Sequence, residues 1–181
     1  TMYFRLIIFY LFILMAFSEN SKTSNLEIPL RSDIDAKYRW DMTAVYPTEE
    51  AWEDDLNFVK GLYPKLGDYK GRLLSSPEVL LESIELRNQV NQTLWKLYHY
   101  ASNSSNADVR NEKFQEMVQR VINESVKIGQ TTAYFTPEIL QNEYSVLEDL
   151  MANNKKLQVY EKQFKDLYIS GPHILTEKEE K

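Results

Sequence analysis

One long run of helical spacing, beginning at Ser76, constrains the fold of this chain more than any other feature. Ser76 is a good N-cap residue, and Pro77 takes the first helical position, where its missing N–H costs nothing. Six apolar residues follow at spacings of 7, 4, 4, 3 and 4, which places them on one stripe of a helix. The pattern predicts a helix over about residues 77–102. The stripe consists of Val79, Leu86, Val90, Leu94, Leu97 and Ala101.

Comparable signals predict helices on both sides of this one. Thr48 caps an acidic helix that Pro64 and Gly67 end, and the sequence SNSSNAD at 102–108 is predicted to be a loop. A third helix is expected up to about residue 133, and Thr136 with Pro137 is expected to start a fourth. The apolar residues that support the last two helices are Val146, Leu147 and Leu150, then Leu157, Tyr160, Phe164 and Leu167.

The fold class that follows is all-α, with five or six helices packed as antiparallel hairpins or a bundle. Only 5 glycines and 6 prolines occur in 181 residues, and no stretch alternates in polarity long enough to indicate a strand. The net charge of −6 without a basic cluster argues against a nucleic-acid partner. The lack of cysteine excludes disulfides, thiolate zinc sites and a cysteine nucleophile.

The first residues resemble a secretory signal. Arg5 precedes 12 consecutive apolar residues, from Leu6 to Phe17, and small residues occur at Ala16 and Ser18. This run is shorter than the ~20 residues that span a bilayer, so no stable membrane span is expected. The predicted organisation is a signal peptide at 1–18, an extended lead-in at 19–36 and a helical domain at 37–181. The protein is then exported, to the periplasm or outside the cell. Without a real signal it is cytoplasmic, and an uncleaved tether at 3–17 is a third possibility.

The last residues contain a helix start. Thr176 and Glu179 have the spacing of a capping box, yet little sequence follows them. The cap belongs either to a frayed polar tail or to a longer protein. In the second case the helical domain is truncated just inside its last helix.

Few residues suggest chemistry. The two histidines, His99 and His173, lie in no metal-binding motif, and neither a phosphate-binding loop nor a serine nucleophile motif occurs. The acidic pairs Glu49-Glu50 and Asp54-Asp55 lie in the first turns of a capped helix, where the helix dipole favours them. No catalytic, cofactor-binding or metal-binding residue is therefore nominated.

The aromatic residues of LWKLYHYAS, residues 94–102, allow two interpretations. Trp95, Tyr98 and His99 lie on adjacent turns of the long helix. The simpler interpretation is packing, with tyrosine hydroxyls bonded at the rim of the core. The other is a groove for an extended peptide, which aromatic side chains can contact without demanding one sequence.

The segment RSDIDAKYRWDMTAVYPTEEAWEDDL resembles the opening of oligoendopeptidase F, a zinc metallopeptidase family related to thimet oligopeptidase. The resemblance continues through GLYPKLGDYKGRLLSSPEVLLESIELRNQVNQTLWKLYHYASNSSNADVRNEKFQEM and FTPEIL to SGPHILTEKEEK. It covers about residues 28–181. No single motif is diagnostic, but the ordered series is specific.

The resemblance implies that this segment is the N-terminal helical domain of a larger, mostly helical peptidase. Zinc is implied for the full-length protein, where it activates a water molecule, but none is expected to bind this chain. The family's HExxH motif lies far beyond this segment, so no site residue carries over and the chain alone is predicted inactive. The implied partners are short peptides and a C-terminal catalytic domain, with this domain forming one wall of a deep channel. The alternative is a free-standing exported helical binding or scaffold module.

Overall fold

The computed structural model describes residues 29–171. They fall into two compact units that divide between Tyr38 and Arg39. In the first unit, residues 29–38 form two short 3-10 turns, Arg31–Asp33 and Ala36–Tyr38. The predicted signal peptide at 1–18, His173 and the capping box at Thr176 lie outside the described residues. The predicted domain boundaries therefore stay a prediction.

The second unit is helical. No strand occurs between residues 29 and 171, which confirms the all-α prediction. Short 3-10 segments, Met42–Ala44, Tyr63–Tyr69 and Leu157–Tyr160, connect or precede the α-helices. The α-helices are α1 Glu49–Leu62, α2 Pro77–Ala107, α3 Glu112–Thr132, α4 Phe135–Leu140, α5 Tyr144–Asn153 and α6 Glu161–Ser170.

Two helices begin where their local signals predict. The hydroxyl of Thr48 accepts a hydrogen bond from the Ala51 N–H at 3.2 Å and caps α1. The hydroxyl of Ser76 accepts one from the Val79 N–H at 3.3 Å, and Pro77 is the first residue of α2. Each cap satisfies a backbone donor that a helix start leaves unpaired.

The predicted loop at 102–108 is wrong, because α2 continues through it to Ala107. Serine and asparagine have low helix propensity, but tertiary packing overrides such preferences. Ser104 is buried beside Ala101 on the inner face of α2, so the helix is held by its neighbours there. The turn lies at residues 108–111 instead, where Asn111 caps α3 by accepting a hydrogen bond from the Lys113 N–H.

The predicted cap at Thr136 is also wrong. The helix α4 begins at Phe135, two residues before the predicted first residue Pro137, and has no side-chain cap. The preceding residue Tyr134 already has helical backbone angles, and its hydroxyl donates a 2.6 Å hydrogen bond to the Leu66 carbonyl. Pro137 is tolerated because it lies in the first turn, where its missing N–H would have no helical partner.

The second unit contains two hydrophobic cores, and α2 contributes to both. Leu80 and Ile84 from its first half lie in one core with residues of α4, α5 and α6. Val90 and Leu97 from its second half lie in the other core with residues of α1 and α3. The short turn at 108–111 makes α2 and α3 an antiparallel hairpin.

The side chains of Trp52 and Asp55 connect α1 to α2. Trp52 of α1 is fully buried and donates a 3.0 Å hydrogen bond from its indole N–H to the Leu97 carbonyl. The hydroxyl of Tyr46 donates to Asp55 at 2.6 Å, and Lys96 of α2 lies 3.2 Å from the same carboxylate. Burial raises the pKa of Tyr46 far above its usual value, and the hydrogen bond to Asp55 adds to the shift.

A single carboxylate binds the turn before α2 to α4. The Glu138 oxygens accept hydrogen bonds from the Gly71 N–H at 2.8 Å and the Leu73 N–H at 2.7 Å. Gly71 has a φ of +79°, a conformation that side-chain-bearing residues rarely adopt. Leu73 is fully buried, so this contact fixes the entry of the turn into the core.

We predict that Glu138→Gln destabilises the fold by about 1–3 kcal/mol. A glutamine amide has one acceptor oxygen, so either the Gly71 N–H or the Leu73 N–H loses its partner. Urea unfolding measures the change. Glu148→Gln, which alters an exposed acid on α5, is the matched control and should shift stability by less than about 0.5 kcal/mol. Equal effects of the two substitutions would contradict the prediction.

Candidate functional site

The aromatic cluster on α2 is defined by Trp95, Tyr98 and His99. The ring of Trp95 stacks on that of His99 with centroids 5.4 Å apart and an angle of 25° between the planes. Tyr98 meets Trp95 edge-on at 6.0 Å and His99 at 6.0 Å. Spacings of three and four residues bring the three rings together on adjacent helical turns.

The cluster is partly packing and partly exposed surface. Tyr98 is half-buried against the first core, which agrees with the packing interpretation for that residue. Trp95 is 59% exposed and His99 is exposed as well. Packing therefore accounts for Tyr98 but not for the large apolar surface that Trp95 presents to solvent. The peptide-groove interpretation remains open for Trp95 and His99.

A cleft of about 420 Å³ lies between the first turns of α1 and the first half of α3. Arg120 spans it with two hydrogen bonds to the Glu53 carboxylate at 2.5 and 2.6 Å, and its guanidinium carbon lies 5.2 Å from the centre of the Trp52 ring. Lys113 forms an ion pair with Glu49. Other residues lining the cleft are Glu50, Asp54, Glu116 and Met117.

Two carboxylates of this cleft, those of Glu50 and Glu53, have a pKa below the usual value. The hydrogen bonds from Arg120 hold the pKa of Glu53 below its usual value. The pKa of Glu50 is also lowered, first by its own backbone N–H and then by the Thr48 hydroxyl. A carboxylate that donates a proton near neutral pH needs a raised pKa. Glu50 and Glu53 therefore serve the helix start and an ion pair, as their position in the sequence suggests.

Among residues 29–171, no group of three or more histidine, aspartate or glutamate side chains is placed to hold a metal ion. His99 stacks on Trp95, and His173 lies outside the described part of the chain. The expectation that this chain binds no zinc of its own stays a prediction.

The chain is similar to proteins named as oligopeptidases. Oligopeptidase PepF of Bacillus subtilis is 32% identical over 154 residues, which is 85% of this chain and 23% of the relative. The plasmid-encoded oligoendopeptidase F of Lactococcus lactis subsp. cremoris is 34% identical over 152 residues, or 83% of this chain and 25% of the relative. The family profile described as Oligopeptidase F matches residues 138–181. The chain corresponds to the N-terminal portion of these larger, oligoendopeptidase F-like proteins.

Solved structures support the same fold. A Chlamydophila abortus protein superimposes with a TM-score of 0.70 at 23% identity, over 83% of this chain and 25% of that one. The oligoendopeptidase-F of Enterococcus faecium gives a TM-score of 0.65 at 21% identity, over 71% and 26%. At such identities the likeness concerns the fold alone. It confirms that the helices described here form the N-terminal domain fold of oligoendopeptidase F-like proteins.

The chain spans about a quarter of the length of the curated relatives it matches. These matches do not favour the free-standing helical module that the sequence left as an alternative. Within the described residues, no helix is long and apolar enough to cross a membrane.

Because Arg120 pairs with Glu53, we expect the stability difference between the wild type and a Glu53→Gln variant to depend on pH. A group whose pKa is lower in the folded state stabilises the fold above its unfolded pKa, and this contribution disappears as the pH falls through the folded pKa. Glu53→Gln should therefore destabilise the protein at pH 7, and the gap to the wild type should close progressively below about pH 5.

Urea unfolding at a series of pH values from neutral to acid measures this gap. Asp149→Asn on α5, whose side chain forms no ion pair within the described residues, is the control and should give a gap that stays small throughout. A gap for Glu53→Gln that widens on acidification would show that the sign is wrong.

Proposed function

We propose that the protein to which this chain belongs hydrolyses short peptides as a zinc-dependent oligoendopeptidase. The chain supplies its N-terminal helical domain. The observation that carries the proposal is the match along 85% of the chain to a relative named as an oligopeptidase, at 32% identity. The same helices recur in the fold of an Enterococcus faecium oligoendopeptidase-F.

The zinc ion of this proposal does not fit the described residues. Catalytic zinc sites use three protein ligands, with one position left open for water. Residues 29–171 bring together no such set, and two acids of the cleft, Glu53 and Glu49, are paired with Arg120 and Lys113. The ligands are therefore assigned to polypeptide outside this range, and no catalytic step is assigned to the residues described here.

The contribution proposed for this domain is a wall of the substrate channel. Trp95 and His99 present stacked, exposed rings on α2, and Tyr98 fixes the cluster to the core. Aromatic faces bury a large area against many side chains without a strict geometric demand. A surface of this kind suits an enzyme that contacts peptides of varied sequence.

Export from the cytoplasm is also proposed, with cleavage after Ser18. The support is the basic residue and the 12-residue apolar run that precede this position. N-terminal sequencing of the native protein tests it. A new N-terminus at Glu19 would agree with the proposal, whereas retention of the apolar run would contradict it.

The proposed activity is tested on the native protein. An antibody raised against residues 47–63 should detect a product about four times heavier than the 21.4 kDa chain, because the chain covers 23–25% of its relatives. The purified product should cleave short peptides, lose this activity with a chelator and regain it with zinc. A product of about the chain's own mass, or a full-sized product that leaves peptides intact, would overturn the proposal.

We predict that Trp95→Ala in that product raises the KM for short peptides about three- to tenfold with little change in kcat. Loss of a contact made equally to substrate and transition state has this kinetic signature. Stability should change by less than about 0.5 kcal/mol because Trp95 is 59% exposed. Val159→Ala, at a site that is 81% exposed on another segment, is the control. If both variants keep the wild-type KM, Trp95 does not contact substrate.

A further inference from the structure

The charged side chains of α3 between residues 113 and 127 are confined to one side of the helix. Lys113 and Arg120 form ion pairs with acids of α1, and Glu116 lines the cleft that α1 borders. Glu124 is buried and bonded to Lys127, which completes the set. The α1 side of the helix thus carries every formal charge in this stretch.

The opposite flank of α3 is uncharged from residue 115 to residue 129. Val118, Ile122, Val126 and Gly129 follow one another at spacings of 4, 4 and 3, which places them on one side of a helix. The side chains beside them, Gln115, Gln119 and Ser125, are polar but neutral. Ile122 is 40% exposed and Val126 is 56% exposed.

The helix α2 shows the same division. Lys96 is the next charged residue of α2 after Arg87, and it forms an ion pair with Asp55 of α1. The other flank carries Leu94 and Tyr98, which are half-buried against the first core. Since α2 and α3 form a hairpin with α1 on one side, these residues and the uncharged flank of α3 share the other side.

The first half of this α2 flank is already covered within the described structure. Leu80 and Ile84 are buried in the second core, and the Arg87 guanidinium lies 4.8 Å from the centre of the Phe135 ring of α4. Beyond residue 90 no described helix of the second core packs on this flank of α2, yet the flank still carries the apolar residues Leu94 and Tyr98. The uncharged face is therefore an extension of a surface on which other helices already pack.

We propose that this uncharged face, formed by Leu94, Tyr98, Val118, Ile122, Val126 and Gly129, is the surface on which the C-terminal remainder of an oligoendopeptidase F-type protein docks. The inference rests on the proposed function. The relatives carry about three times as much sequence outside the match as within it. The contact core of a protein interface is depleted in charge, and this face carries no charged side chain in a chain that is 27% charged.

The shape and chemistry of the face favour a packed helix or sheet over a bound peptide. The clefts of about 420 and 410 Å³ in the described structure are lined mainly by charged residues elsewhere. A Cβ atom built on Gly129 would meet nothing within 4 Å, so an approaching backbone finds open space there. Small residues at such a position permit close packing.

Docking on this face would place Trp95 at the border between two domains. Trp95 is next to Leu94 in sequence, and its ring contacts Tyr98 of the face. Ligand sites occur preferentially at junctions between domains. The same docking would therefore cover Tyr98 and leave Trp95 and His99 exposed as one wall of a channel.

Cysteine labelling tests the proposal, because the chain contains no cysteine of its own. Val126→Cys introduces one on the uncharged face, and Asn57→Cys introduces one on the outer side of α1, where Asn57 is exposed. Each is compared in the 181-residue chain and in the full-length product by maleimide labelling with peptide-resolved mass spectrometry. The cysteine at 126 should react at least about tenfold more slowly in the full-length product, since labelling then requires opening of the interface. The cysteine at 57 should react equally in both.

Each other outcome has a distinct meaning. Equal labelling at 126 in both proteins, in a product that cleaves peptides, overturns the docking and leaves the proposed function standing. Protection of 126 in the short chain that disappears on dilution makes a second copy the occupant. Protection that appears only with added peptide makes substrate the occupant, and either result overturns the proposal. A native product of only 181 residues overturns the proposed function and the docking together.

Discussion

The 31-residue helix α2 is the element on which both hydrophobic cores depend. At 1.5 Å per residue it extends for roughly 46 Å, which is longer than one small core requires. Its first half completes the core of α4, α5 and α6, and its second half completes the core of α1 and α3. A break within α2 would therefore separate two groups of helices as well as weaken each of them.

The two cores are attached to this helix by different interactions. The indole N–H of Trp52 reaches the Leu97 carbonyl inside the first core, where an unpaired donor would be costly. Near the second core a charge-assisted contact attaches α4 to the turn that leads into α2, because the Glu138 carboxylate accepts two backbone N–H groups of that turn. Burial and the neighbouring Glu138 raise the pKa of Tyr134 to about 12, so its hydroxyl stays protonated and bonded to Leu66 at neutral pH.

The parts of the fold that could be predicted from the sequence are those set by local chemistry. Thr48 and Ser76 satisfy their own helix starts, and the stripe from Val79 to Ala101 follows from spacing alone. The continuation of α2 through Ser104 could not be predicted in this way, because serine favours a loop until neighbouring helices bury it. The start at Phe135 was missed for a similar reason. It depends on a chain already helical at Tyr134, whose hydroxyl is bonded to a residue far away in sequence.

The candidate site was predictable to a smaller extent. Spacing places Trp95, Tyr98 and His99 together, but only the packed structure shows that Tyr98 is anchored while Trp95 is exposed. The uncharged face was not recognised from the sequence. Val118, Ile122 and Val126 look like ordinary core residues of an amphipathic helix until the position of α1 shows which flank they occupy.

The acids at the start of α1 determine on which side of the α2–α3 hairpin the charged residues lie. Glu49 and Glu53 lie where the helix dipole favours anions, and the same carboxylates bind Lys113 and Arg120 of α3. Two of the three cations of α3 are thereby drawn to the α1 side, together with Lys96 of α2 through Asp55. A hairpin with both flanks in water would be expected to carry charge on each of them. Here the ion pairs with α1 leave the other flank without charge, which is the arrangement that a hairpin needs when it is packed between two partners.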